Sequence, residues 1–237
     1  MKNLLLASTS TVYGSNYLEY LKPAIISFFK DCKQLLFVPF ARPGGISYDD
    51  YTTNARNFFK TIDIDVKGAH EFKNADKGLE WAEGIFTGGG NTFLLLKTLY
   101  ETGFFQAIDN AVKKGKPYMG TSAGSNMAGI SIGTTNDMPI CYPPSFQAFN
   151  WIPFNLNPHY LDPLPDNTHM GETRETRIKE FHQFNNQPVL GLREGSWLEC
   201  HQNIIMLKGS LSARWFNAGK EAVELAPEVS ISNVATV

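Results

Sequence analysis

A serine stands in Gly120-Thr121-Ser122-Ala123-Gly124, directly after the short run Lys116-Pro117-Tyr118-Met119. That spacing, G-x-S-x-G at the end of a candidate strand, belongs to a hydroxyl held on a tight strand-to-helix turn and used to attack an acyl carbon. Gly120 and Gly124 supply small neighbours where a side chain would strike adjoining backbone, and the Ala123 N–H at the helix start is placed to donate to a developing oxyanion. Short motifs match by chance, and an ordinary glycine-rich turn explains this one equally well in isolation. A second glycine run, Thr87-Gly88-Gly89-Gly90-Asn91-Thr92, also sits between an apolar run and a helical pattern. Its Gly89 or Gly90 N–H could be the second oxyanion donor, with Gly90 preferred. Asn91 is a candidate substrate contact or a plain helix N-cap. A phosphate cradle ranks below, because neither a GK[ST] ending nor GxGxxG spacing is present.

A serine hydroxyl is a weak nucleophile at neutral pH and needs a base in hydrogen-bond reach. The histidines are His70, His159, His169, His182 and His201. His182 falls in a charged helical stretch, and His70 and His201 in polar surroundings. His159 follows Phe154-Asn155-Leu156-Asn157-Pro158, where Asn-Pro ends a short apolar stretch and can present the next side chain at a sheet edge. It is the preferred base, with His169 second. The orienting acid is open between Asp137, in Thr134-Thr135-Asn136-Asp137-Met138-Pro139, and Glu194, in Gly191-Leu192-Arg193-Glu194-Gly195. Spacing does not separate them.

These residues need elements to hold them. Short apolar runs at 3–7, 34–39, 84–87, 117–121 and 188–192 read as buried strands of a largely parallel sheet. Helical patterns at 17–30, 51–59, 92–100, 104–114 and 172–184 alternate with most of them, which indicates an α/β fold with helices flanking the sheet. Residues 138–167 are rich in proline, aromatics and asparagine without periodicity and read as irregular, while the chain from Ser196 onward reads as antiparallel strands finishing the sheet. One domain over residues 1–237 is expected. A net charge of −2, without a dense basic cluster, argues against nucleic acid as a partner. The apolar start Leu4-Leu5-Leu6-Ala7 is too short for a signal peptide, and no run approaches the ~18–20 apolar residues of a membrane span. Cys32, Cys141 and Cys200 give neither a disulfide framework nor ligand spacing, so no metal or other cofactor is expected and a cytoplasmic location is.

Together the pieces resemble the peptidase E family, serine peptidases that also include cyanophycinase. The resemblance rests on Gly88-Gly89-Gly90-Asn91-Thr92-Phe93, Ser122-Ala123-Gly124, Thr135-Asn136-Asp137-Met138-Pro139-Ile140, Asn157-Pro158-His159, Gly171-Glu172-Thr173-Arg174-Glu175 and Glu194-Gly195, in order across nearly the whole chain. Thr121 before the serine and Ser125 after Gly124 depart from the familiar pattern. The resemblance implies a three-layer fold similar to class I glutamine amidotransferases, with Ser in place of their Cys. It also implies a Ser122/His159/acid triad, with both Asp137 and Glu194 as possible acids, and a small peptide substrate with an N-terminal aspartate. Such a substrate carries a side-chain carboxylate, for which Arg174, sharing a helix face with Arg177, is the best-placed guanidinium in the family motif. The surrounding Glu172, Glu175, Lys179 and Glu180 give the same helix the look of a solvated surface. A monomer or homodimer is expected. A cyanophycinase-like or other acyl hydrolase, or a non-catalytic small-molecule binder, are the competing readings.

Overall fold

The computed structural model describes residues 2–163 and 171–231. Its strands are β1 (Asn3–Ala7), β2 (Gln34–Val38), β3 (Asp65–Gly68), β4 (Gly84–Thr87), β5 (Tyr118–Thr121), β6 (Asn155–Pro158), β7 (Val189–Leu192), β8 (Ser196–His201), β9 (Ile204–Gly209), β10 (Ala213–Phe216) and β11 (Val223–Leu225). Its helices are α1 (Lys22–Phe28), α2 (Tyr48–Lys60), α3 (Ala75–Trp81), α4 (Thr92–Glu101), α5 (Phe104–Lys113), α6 (Ala123–Asn126) and α7 (Arg174–Phe181).

The main sheet has seven strands in the order β3-β2-β4-β5-β1-β8-β9. From β3 to β1 every pairing is parallel, and β8 and β9 add antiparallel to that edge. Side chains of a strand alternate between faces. Leu5, Phe37, Phe86 and Met119 accordingly pack with Ile25 of α1 and Tyr51, Ala55 and Phe59 of α2. Leu4, Leu6, Leu36 and Ile85 face the other way, onto α3, α4 and α5. Parallel strands covered on both faces read as near-continuous apolar runs, which is why β1, β2 and β4 were legible as strands.

A second sheet, β11-β10-β7-β6, pairs β6 and β7 in parallel and β10 antiparallel to β7. This corrects two expectations. The run at 188–192 forms β7 of the second sheet and not a strand of the main one, and the C-terminal strands divide between the sheets. The irregular stretch also contains β6, and β3 and α3 carry no expectation at all. The helix expected over 17–30 breaks into a 3₁₀ turn at Glu19–Leu21 and α1, with Pro23 in the first turn, the place where its missing N–H costs least. Among the described residues no helix is long and apolar enough to cross a membrane.

Registers set the site. Thr87 and Leu6 both pair with Gly120, and Ala7 pairs with Thr121, so β4, β5 and β1 end together and their following loops meet at one edge of the sheet. Pro158 pairs with Leu192, so the residues that leave β6 and β7, including His159 and Glu194, emerge side by side.

Candidate active site

Ser122 links β5 to α6 with φ 53° and ψ −113°, a conformation that L-residues rarely adopt. Several contacts over-determine it. The Ser122 N–H donates to the Ala7 carbonyl (3.1 Å), and the Tyr118 hydroxyl donates to the Gly124 carbonyl (2.7 Å). The buried Ser125 hydroxyl lies 2.7 Å from the Ala7 carbonyl oxygen and 2.8 Å from that of Gly120, so this departure from the family pattern ties the turn to β1. A Cβ on Gly120 would lie 2.5 Å from the Gly124 carbonyl, and one on Gly124 would run into the Thr87 carbonyl. α6 spans only Ala123–Asn126, so the individual N–H groups matter more here than a helix dipole.

The loop after β4 lies against the serine. A Cβ on Gly89 would be 3.0 Å from Ser122 Cβ, and Gly90 has φ 143°, a value that suits glycine alone. Beneath the loop, the Tyr51 hydroxyl donates to the Gly89 carbonyl (3.2 Å). Burial raises the pKa of this phenol, so it stays a donor. No acceptor among the described residues takes the N–H of Gly89, Gly90 or Ala123. Asn91 acts as the N-cap of α4, accepting from Leu94 N–H (3.1 Å), while its amide nitrogen donates to the Met138 carbonyl (2.8 Å). Both ends of its side chain are thus engaged within the protein, as the N-cap reading expects.

His159 Nε2 is 2.9 Å from Ser122 Oγ, and His159 Nδ1 is 2.6 Å from Glu194 Oε1. His159 is itself in the left-handed region (φ 54°), with its N–H donating to Ser8 Oγ (2.8 Å) while the Ser8 hydroxyl donates to the Leu192 carbonyl (2.7 Å). A single side chain of the loop after β1 therefore joins the strands that carry His159 and Glu194. Nothing in the spacing of Ser8 or Tyr51 marked them for these tasks.

Asp137 lies elsewhere. Its Oδ2 accepts from Thr92 N–H (2.8 Å), Thr92 Oγ1 (2.6 Å) and Thr135 Oγ1 (2.9 Å), which fixes the first turn of α4 behind the glycine loop. Neighbouring Asn136 donates to the Pro158 carbonyl (2.7 Å), and the Thr134 hydroxyl donates to the Leu156 carbonyl (2.8 Å). The segment 134–137 thus braces β6 against α4. Thr173, not Glu172, begins α7 as its N-cap, accepting from Thr176 N–H (3.1 Å). Arg174 is half-buried and in no ion pair among the described residues; its pKa is drawn down by burial and by Arg177, and pushed back up by Asp137. Arg177 is held 3.6 Å from Glu172.

The remaining histidines have other partners or none near the serine. His70 Nε2 lies 2.9 Å from Asp49 Oδ1. His182, expected on a helix surface, caps α7 and lies 3.1 Å from the Gln187 carbonyl oxygen. His201 is exposed at the end of β8, and His169 lies outside the described residues.

A nucleophilic hydroxyl, an imidazole and a carboxylate in one hydrogen-bonded line, with free N–H groups beside the hydroxyl, can carry out acyl transfer to water. Similarity to known proteins agrees with that chemistry. Over 235 residues the chain is 47% identical to the Peptidase E of Streptomyces coelicolor, covering 99% of this chain and 96% of that one. It is 44% identical over 229 residues to a Drosophila melanogaster protein named "Probable alpha-aspartyl dipeptidase", covering 95% and 94% of the two chains. The solved structure of a peptidase from an acI-B1 Actinobacterium shares the fold, with a TM-score of 0.71 at 18% identity over 98% of this chain and 96% of that one. The model of peptidase family S51 matches residues 4–207, and the chain belongs to that family.

Proposed function

We propose that this peptidase is a serine dipeptidase that hydrolyses Asp-Xaa, with Ser122 as nucleophile, His159 as base and Glu194 as the orienting acid. The observation that carries the reading is the continuous line Ser122 Oγ–His159 Nε2 (2.9 Å) and His159 Nδ1–Glu194 Oε1 (2.6 Å). In this reading Ser122 Oγ attacks the carbonyl carbon of the aspartyl residue while its proton passes to His159 Nε2. The carbonyl oxygen takes the negative charge and accepts from the N–H groups of Gly90 and Ala123. Collapse breaks the C–N bond as the imidazolium gives its proton to the leaving amine. Water then repeats the sequence on the aspartyl ester, releasing aspartate and free Ser122. Glu194 accepts from Nδ1–H throughout, fixing the tautomer that leaves Nε2 basic.

Arg174 is proposed to receive the side-chain carboxylate of the substrate. Support comes from its lack of an ion-pair partner among the described residues and from its half-buried place near Asp137, whose carboxylate fixes the first residue of α4 behind the glycine loop. The unpaired cysteines fit a cytoplasmic setting.

The test is hydrolysis of Asp-Leu against Asn-Leu, Glu-Leu and Ala-Leu by the wild type and Ser122→Ala. Cleavage of Asp-Leu alone, lost in Ser122→Ala, supports the reading. Cleavage of none directs attention to esters and longer β-aspartyl substrates, and equal cleavage of Ala-Leu removes the aspartyl specificity.

A further inference from the structure

Glu194 and His159 are exposed for a coupled pair, with 52% and 38% of their side-chain surface open to solvent. Hydrogen bonds between groups so accessible to water persist only where the backbone holds the partners together. The Ser8 hydroxyl ties β6 to β7 as far as Leu192, and Ser196 N–H donates to the Arg193 carbonyl (3.1 Å) across the turn that presents Glu194. The side chain immediately before Glu194 supplies a third constraint.

Arg193 has a fully engaged guanidinium. Its Nε donates to Asp162 Oδ2 (2.7 Å), and Nη2 to Asp162 Oδ1 (2.8 Å) and Glu224 Oε1 (2.9 Å). Its Nη1 donates to Glu224 Oε2 (2.9 Å) and to the carbonyl (2.8 Å) and hydroxyl (3.0 Å) of Ser212. Its face lies over the Tyr160 ring, 5.6 Å from the centroid. A fork engaging two carboxylates fixes orientation as well as distance, which a point charge on a flexible stem cannot do. Asp162 and Tyr160 follow His159 on the same segment, while Ser212 immediately precedes β10 and Glu224 lies in β11. One side chain thus grips the segment that bears His159 while standing next to Glu194.

We propose that Arg193 is a positioning residue, holding the Glu194 turn against the His159 segment so that the hydrogen bond between Glu194 and His159 survives in water. The inference rests on the proposed roles of Ser122, His159 and Glu194. A network that only stapled the sheet would alter stability and leave turnover of the folded enzyme unchanged.

The test is a double-mutant cycle on the full chain with Asp-Leu. Arg193→Gln is expected to lower kcat about 10- to 100-fold with KM within about twofold, the scale of a small misplacement of a catalytic group. In a Glu194→Gln background the same change should cost less than about twofold, because the residue it acts through is already disabled. Losses that multiply in the double variant, or an unchanged kcat in the single, overturn the proposal. Should Arg193→Gln fail to fold, Asp162→Asn takes its place in the cycle, with an expected fall of about three- to tenfold. Absence of wild-type turnover would count against the dipeptidase reading alone. Arg193 would then be judged on a crystal structure of Arg193→Gln or Asp162→Asn: separation of Glu194 Oε1 from His159 Nδ1 beyond hydrogen-bond range supports the proposal, and an unchanged contact overturns it.

Discussion

Two carboxylates in turn-rich segments, Asp137 after α6 and Glu194 after β7, differ in what their oxygens meet. One Asp137 oxygen has three donors from Thr92 and Thr135, whereas Glu194 has the imidazole. Glu194→Gln is therefore expected to lower kcat by about 10² to 10⁴, as loss of an orienting carboxylate does, with the melting temperature little changed. Asp137→Asn should do the reverse, costing about 1–3 kcal/mol through a charged acceptor removed from a half-buried site, with a much smaller effect on kcat. Thermal melts and steady-state kinetics on both variants check this; a larger kcat loss in Asp137→Asn would make it the acid. Sequence spacing left the two open because each lies in a turn-forming context, and only the pairing of Pro158 with Leu192 brings position 194 beside His159. Ser122 was legible for the opposite reason: its glycines are required locally. Gly124→Ala should abolish activity even where protein folds, since the new methyl would meet the Thr87 carbonyl and shift the serine. Labelling by a fluorophosphonate should fall with activity, and an active, labelled variant would refute the argument.

At the level of elements, legibility followed burial on two faces. β1, β2, β4 and β5 are wholly or almost wholly buried, and their apolar runs stood out. β3 is Asp65-Val66-Lys67-Gly68 at the sheet edge, with Asp65 exposed, so it carries too little apolar pattern to be seen. β6 is completely buried yet reads Asn155-Leu156-Asn157-Pro158, because the asparagine side chains find partners inside the protein: Asn155 Oδ1 accepts from Ser131 N–H (2.8 Å), and Asn157 Nδ2 donates to the Thr134 carbonyl (2.7 Å), leaving only Asn157 Oδ1 without a partner among the described residues. Polar residues with buried partners defeat a reading by hydropathy. β7 was visible as a strand, but no local pattern says which sheet a strand joins. The same small sheet carries a pH-sensitive contact. Hydrogen bonding from Arg193, aided by Ser212 and opposed by burial, holds the Glu224 carboxyl at about 2, against an ordinary value of 4.5. A folded pKa below the unfolded one gives a contribution that is complete above the ordinary value and disappears as pH falls towards 2. Glu224 is substantially exposed, so the effect is modest. Melts taken from pH 6 down to pH 2.5 should show a shallower acid decline in Glu224→Gln than in the wild type, and parallel declines would remove the contact from the stability of the hairpin.

Across the whole molecule, the serine comes from one sheet and the histidine and glutamate from the other, so the site exists only while the two keep their relative position. The packing between them is apolar and shared: Leu156, Leu190, Leu192 and Trp215 of the second sheet fall in one buried cluster with Leu198, Leu207, Ala123 and Met127 of the first sheet and its turn. Phe154 just before β6 meets Trp215 edge-on at 5.1 Å between centroids. Close-packed interiors transmit loss of one contact to its neighbours, so we expect both sheets to unfold together as one unit. Leu156→Ala tests this, because Leu156 is fully buried in the strand that leads to His159. It should cost about 2–5 kcal/mol. The denaturation midpoints by far-UV circular dichroism, tryptophan fluorescence and residual Asp-Leu hydrolysis should move down together with an unchanged slope. Activity lost at a lower denaturant concentration than the bulk of the secondary structure would mean that the sheet carrying His159 and Glu194 opens by itself. The shared cluster would then be a docking surface between two separately stable parts.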